Sequence, residues 1–177
     1  TYNHYDGTVA QKSLTITATG PTKTYGTALT AGTSTTNFTH SGEISGQDVT
    51  GITLTPDAAG LSATTAAGAG YVVTPSAATG TGGFTASNYD ITYNHYHGTV
   101  EHKDLTVTDI TVNDKIYDGS TTASLNTGSA ALVGVISGDT VTLNTGSAVG
   151  AFNDDHVLTA NHVEVSEHSP SDNCCAA

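Results

Sequence analysis

Aliphatic residues alternate with threonine along much of this chain. Leu14-Thr15-Ile16-Thr17, Ile52-Thr53-Leu54-Thr55, Leu105-Thr106-Val107-Thr108 and Val141-Thr142-Leu143 all read with period two. That period places Leu, Ile and Val on one face of a strand and Thr on the other. Threonine is β-branched, so it suits a pleated backbone while presenting a hydroxyl to water. Turn signals separate these runs: Gly20-Pro21, Ser41-Gly42, Ser45-Gly46, Gly80-Thr81-Gly82-Gly83, Tyr117-Asp118-Gly119 and Ser137-Gly138-Asp139. Short strands between regularly spaced turns predict a sandwich or barrel. Ala58-Ala59 and the stretch from Ala63 to Ala69 are interrupted by Gly and Thr and carry no apolar stripe, so no helix is expected. The expected core is Leu14, Ile16, Ile52, Leu54 and Val72 in the first half, and Leu105, Val107, Ile116, Val141 and Leu143 in the second.

Self-comparison gives the strongest signal. Thr1-Tyr2-Asn3-His4-Tyr5-Asp6-Gly7-Thr8-Val9 recurs as Thr92-Tyr93-Asn94-His95-Tyr96-His97-Gly98-Thr99-Val100, and the match runs on through Lys12/Lys103 and Leu14-Thr15/Leu105-Thr106. Over 17 aligned positions 12 are identical, at a separation of 91 residues, from residue 1 to residue 92. A period near 90 is the size of one Ig-like β-sandwich. A looser echo links Lys23-Thr24-Tyr25-Gly26 to Lys115-Ile116-Tyr117-Asp118-Gly119. Each copy of the repeat is expected to close one domain and open the next, which puts boundaries near residues 12 and 103 and leaves no flexible linker between units.

Composition narrows the function. Sixteen acidic residues stand against four lysines, with no arginine, for a net charge of −12. Few aliphatics and a high net charge approach the composition of disordered chains, but a disordered chain has no reason to keep the strand phase. Nucleic-acid binding is excluded, because it needs cations to displace counterions from phosphate. No apolar run is long enough to span a membrane as a helix. Thr1-Tyr2-Asn3-His4 lacks the basic start and apolar stretch of a secretory signal, so a leader is expected to have been removed, or the chain to have been cut from something longer.

Several segments resemble known bacterial repeat families. Lys23-Thr24-Tyr25-Gly26, Val49-Thr50-Gly51-Ile52, Pro75-Ser76-Ala77 and Asn88-Tyr89-Asp90-Ile91-Thr92-Tyr93 with Gly98-Thr99-Val100 resemble the MBG (mostly bacterial Ig-like) domain. Asn113-Asp114-Lys115-Ile116-Tyr117-Asp118-Gly119 with Val135-Ile136-Ser137-Gly138-Asp139 is similar to the YDG domain. The resemblance implies an all-β chain of two Ig-like antiparallel β-sandwiches in tandem, MBG-like over 12–103 and YDG-like over 104–170. Residues 1–11 are then an N-terminal strand for a neighbouring subunit or a previous domain, and 171–177 a tail. It also implies secretion, display on a bacterial cell surface and a role in large adhesins, with no catalytic residues to carry over. The YDG-like unit departs from the pattern: after Val163-Glu164-Val165 a further strand pair is expected, and the chain instead runs into Ser169-Pro170-Ser171-Asp172-Asn173-Cys174-Cys175.

Chemistry-bearing constellations are sparse. His95 and His97 are two apart, which on a strand gives one face; with Glu101 or His102 they have the donor types of a divalent-metal site. His156, His162 and His168 step by six residues, about 20 Å on a strand and too far for one ion. Asp154-Asp155 and the turn aspartates offer oxygens for calcium, but no Asp-x-Asp-x-Asp-Gly loop is present. No metal or cofactor is therefore expected, and His95, His97, Glu101, Asp154 and Asp155 are the residues from which a site would be drawn. The chain has no Gly-x-Ser-x-Gly elbow and no His-Glu-x-x-His, so it is not expected to be an enzyme. Adjacent Cys174 and Cys175 bridge to each other only with strain, which leaves them free or paired with another chain.

The expected function is structural: a repeat unit of an extracellular bacterial filament or adhesin stalk, assembled head to tail by β-strand addition. Its partners are identical subunits or adjacent repeats of a longer chain. The joint is expected at Tyr2, His4, Tyr5 and Val9 on one side and His162, Val163 and Val165 on the other. Alternatives are a ligand-binding adhesin module, in which Tyr2, Tyr5, Tyr93 and Tyr96 stack on a glycan, and a metal-binding surface fibre.

Overall fold

The computed structural model describes residues 2–166. The chain divides into two compact units, Thr1–Lys103 and Asp104–Ala177, and both are nearly all β.

The first unit contains β1 (Lys12–Ala18), β2 (Lys23–Thr24), β3 (Gly32–Ser34), β4 (Phe38–Ser41), β5 (Asp48–Pro56), β6 (Gly70–Thr81), β7 (Tyr89–Asn94) and β8 (Tyr96–Glu101). One sheet has the order β4-β1-β7, with β1 antiparallel to β4 and parallel to β7. The other has the order β2-β8-β6-β5-β3, in which only β2 and β8 run parallel. Leu14, Ile16 and Ala18 from the first sheet meet Val49, Ile52, Leu54, Tyr71, Val73 and Val100 from the second in one buried cluster. Leu14, Ile16, Ile52 and Leu54 thus occupy the core positions that their alternation with threonine predicts.

Val72 does not. It is half-buried, and its neighbours Tyr71 and Val73 face the core instead. Tyrosine can take the inward position because its hydroxyl finds a partner, donating to the Pro21 carbonyl at 2.8 Å. Burial pushes that phenol up to about 12, with nearby Tyr96 adding to the effect. The inward phase also shifts midway along the β5–β6 pair, where the register breaks between Val49 and Thr53. This bulge lets both Val49 and Ile52 reach the core although they are an odd number of residues apart.

A four-residue helix, α1 (Ala58–Leu61), corrects the expectation of no helix. Asp57 caps it, one carboxylate oxygen accepting from the Gly60 amide at 2.8 Å and the other from the Val72 amide at 3.0 Å. One turn is too short to show an apolar stripe, so periodicity could not reveal it. Lys23 is the buried charged side chain of this unit. Its ammonium donates to the carbonyls of Thr27 and Ser62, the latter at 2.7 Å, and burial lowers its pKa.

The second unit contains β9 (Thr106–Thr108), β10 (Thr111–Val112), β11 (Thr122–Ala123), β12 (Leu125–Asn126), β13 (Ala131–Val133), β14 (Val149–Phe152) and β15 (Val163–Ser166). They form three small antiparallel sheets, β13-β9, β10-β12 and β11-β14-β15. The expected core is corrected here. Leu105, Val107, Val141 and Leu143 are only half-buried, Ile116 is exposed, and Ala123 is the buried hydrophobic residue among those described. Residues 140–145 keep the alternation but join no sheet. The physical reason is strand length: strands of two to four residues offer few positions on either face, and Leu105, Ile116, Val141 and Leu143 belong to none of them.

Candidate functional site

The repeated segment takes two different environments. In its second copy, Thr92 to Asn94 lie parallel to β1, pairing Thr15 with Thr92, Ile16 with Tyr93 and Thr17 with Asn94. The chain then crosses to the other sheet. There His97 and Gly98 pair with β6, and Val100 and Glu101 pair with β2. The ten residues from Thr92 to Glu101 thus tie the two sheets of the first unit together. Tyr93 accepts a hydrogen bond from the Ala78 amide at 3.0 Å. Tyr96 meets Tyr71 edge-on, with ring centroids 6.1 Å apart. Gly98 is required by a close approach: a Cβ there would lie 2.3 Å from the Tyr71 ring. Val100 is 1% exposed.

The first copy makes none of these contacts. Residues 2–10 form no strand and are exposed throughout. Val9, the counterpart of Val100, is 101% exposed, and Tyr2 and Tyr5 are open to solvent. A Cβ on Gly7 would meet nothing within 4 Å. His4 lies 3.5 Å from the exposed carboxylate of Asp6. Where the segment meets the first unit, the Gln11 amide donates to the Ser87 carbonyl at 3.0 Å.

The other residues expected at the joint lie on or beside β15. Val163 and Val165 pair with Phe152 and Gly150 of β14. The His162 amide donates to the Asn153 side chain at 3.1 Å, and the His162 carbonyl accepts from the Asn153 amide at 2.9 Å. Val163 is half-buried and Val165 exposed.

The metal candidates separate into two places. His95 sits in the break between β7 and β8 and His97 on β8, with ring centroids 6.4 Å apart. His95 Nδ1 shares a hydrogen bond with Thr74 at 3.1 Å, and Glu101 lies at the far end of β8. Among the described residues, the side chains that bring three donors within 4.8 Å of one another are Asp154, Asp155 and His156. Asp154 and Asp155 are among the candidates expected from the sequence; His156, placed there in a six-residue series, is the one left out, although the run Asp-Asp-His is its signal. Hydrogen bonds from Thr159 and then His156 hold the Asp154 carboxyl well below the usual carboxylate range, and Asp154 and Asp155 raise His156. Asp154 and Asp155 border a hollow also lined by Asp114, Lys115 and Tyr117. Lys115 donates to the Ser120 and Thr122 carbonyls at 2.7 and 3.1 Å and pairs with Asp118 at 2.8 Å. Cys174 and Cys175 lie outside the described residues.

No helix among the described residues is long and apolar enough to cross a membrane. No curated protein and no solved structure matches the chain significantly. A family model does: residues 101–173 match the YDG domain, so the second unit carries the similarity that its Lys115-Ile116-Tyr117-Asp118-Gly119 turn announces.

Proposed function

We propose that this chain is a structural repeat unit of an extracellular bacterial filament or adhesin stalk, built of two Ig-like β-sandwiches, MBG-like then YDG-like, and assembled head to tail by β-strand addition. One observation carries the reading. A nine-residue segment that joins two sheets in the first unit is present a second time at residues 1–9, where Val9 is 101% exposed and its counterpart Val100 is 1% exposed. Apolar and aromatic residues spaced for burial are unfavourable in water, and an incoming strand finds both hydrogen bonds and cover on an open sheet edge. A contact between the front of one copy and the second unit of the next does not close on itself, so it propagates as a fibre. The net charge of −12 keeps such units apart except where strands pair.

The test is electron microscopy with sedimentation of the purified chain under reducing conditions, over a wide concentration range. Elongated, concentration-dependent oligomers that Val9→Asp abolishes are the expected result. A wild-type chain that remains monomeric at all concentrations refutes the reading.

A further inference from the structure

We infer that the joint has a specific acceptor in the second unit: the outer edge of β9 together with the Lys115–Tyr117 segment, occupied by residues 1–10 of a second copy. This rests on the head-to-tail reading above, and it extends the joint from β15 to β9.

The repeat maps the strands of the first unit onto those of the second. Strand β1 has a partner on each edge, antiparallel β4 and parallel β7. Its counterpart 91 residues on is β9, which has the antiparallel partner, β13, and among the described residues no strand on its other edge. The vacant place is therefore that of β7, whose last residues are the ones duplicated at the N-terminus. Carrying the register across sets Thr1, Tyr2 and Asn3 of the second copy beside Thr106, Val107 and Thr108. Val107 is half-buried, where its counterpart Ile16 is enclosed.

An independent stretch of the second unit gives the same answer. In the first unit Lys23 and Thr24 pair with Val100 and Glu101, and the Tyr25 amide donates to the Glu101 carbonyl at 2.9 Å. Lys115-Ile116-Tyr117 echoes Lys23-Thr24-Tyr25, and the two lysines are used alike. Each spends its ammonium on carbonyls of the chain that follows, Lys23 on Thr27 and Ser62, Lys115 on Ser120 and Thr122. Yet Tyr25 packs against the core, whereas Ile116 is 91% and Tyr117 60% exposed. Transposed, Val9 of the second copy falls beside Lys115 and Ala10 beside Ile116, and the Tyr117 amide donates to the Ala10 carbonyl. One segment reaches both places because Thr15 to Lys23 and Thr106 to Lys115 are nearly equal chain separations. The order β11-β14-β15 repeats β3-β5-β6, so β15 stands where β6 does, and as β6 pairs with Tyr96 to Thr99 the free edge of β15 would meet Tyr5 to Thr8 of the second copy.

The experiment uses the full-length chain carrying Val9→Asp, a change at a fully exposed position that disables its own donor segment. A labelled peptide of residues 1–11 is added under reducing conditions and followed by fluorescence anisotropy and hydrogen exchange. Binding with new protection at 105–109 and 115–118, and at 162–166 only alongside them, is expected. Adding Ile116→Ser and Tyr117→Ser to that chain should weaken binding at least tenfold without moving its melting transition, since both side chains are exposed. Protection confined to 162–166 would overturn this acceptor while leaving head-to-tail assembly intact. Protection of 105–109 before any peptide is added would show that the chain's own residues fill the edge, and would also overturn it. No binding anywhere, with a wild-type chain that stays monomeric, would remove both readings.

Discussion

Ile16 and Val107 occupy the same place in the 91-residue repeat, so truncating each to alanine measures how differently the two units are built. Ile16 is 0% exposed and lies on the central strand of its sheet, between β4 and β7. Removing its branched side chain from a closed core costs about 3 kcal/mol, within the usual range for Ile→Ala. Val107 is half-buried on an edge. Its truncation removes two carbon groups worth about 0.8 kcal/mol each when fully buried, so half-burial leaves about 0.8 kcal/mol. For domains of this size 1 kcal/mol moves the melting midpoint by roughly 4–8 °C. Ile16→Ala should then lower the first unit's transition by roughly 12–24 °C, and Val107→Ala the second unit's by roughly 3–6 °C. Calorimetry on the dilute full-length chain, in reductant, checks both values. Equal losses, or a larger one at Val107, would mean that the second unit has a closed core and that its edge is not open.

Two further substitutions probe the repeated glycine. Gly98→Ala forces a methyl group into the Tyr71 ring and should destabilise the first unit by about 2 kcal/mol, whereas Gly7→Ala, made in open space, should leave the melting of a dilute monomer unchanged while reducing its assembly. Acid should act on the second unit through Asp118, which hydrogen bonds from Lys115 and then Ser120 lower to about 2 from an ordinary 3.8. A carboxyl depressed on folding contributes stability above its unfolded value and loses it as pH falls through the folded one. The second unit's melting temperature should therefore drop between pH 3.8 and about 2, and Asp118→Asn should flatten that part of the profile; a profile unchanged by the substitution would mean that the Lys115–Asp118 contact does not persist in solution.

Strand phase was legible where threonine alternates with a single aliphatic residue, as at Leu14-Thr15-Ile16 and Ile52-Thr53-Leu54. It was not legible in Tyr71-Val72-Val73, where apolar residues stand on both faces and the Pro21 carbonyl decides which one turns inward. The bulge opposite Ile52 was invisible for a related reason: register is fixed by the partner strand, and a period read along one strand carries no record of it. In the second unit the alternation of Val141-Thr142-Leu143 gave the right phase and the wrong degree of burial, since a pattern states which face is apolar but not whether anything covers it. The repeated segment was the most readable part of the candidate site because duplication needs no geometry to detect. The proposed acceptor adds the edge of β9 to the β15 side at which the sequence set the joint. A free edge is a matter of which neighbour is missing, and that appears only once β9 is seen with β13 on one side.

An open second unit ties stability to concentration. Val107 is half-buried and Ile116 and Tyr117 are exposed, so a strand that covers them in the folded unit and does not bind the unfolded chain stabilises it by mass action. At a free-segment concentration 100 times the dissociation constant the gain is about 2.7 kcal/mol, larger than the estimated cost of truncating Val107. That gain should raise the second unit's melting midpoint by roughly 11–22 °C, while the first unit, already closed by its own copy of the segment, should melt at one temperature throughout. Calorimetric scans of the wild-type chain across a thousandfold range of concentration, repeated with Val9→Asp, measure this directly. Two transitions that stay fixed at every concentration would show that nothing is added to the second unit, and a shift that survives Val9→Asp would show that something other than residues 1–10 adds it. A shift confined to the second unit and lost in the variant would place assembly and folding of that unit in one equilibrium, in which a filament subunit completes its fold only by joining the next.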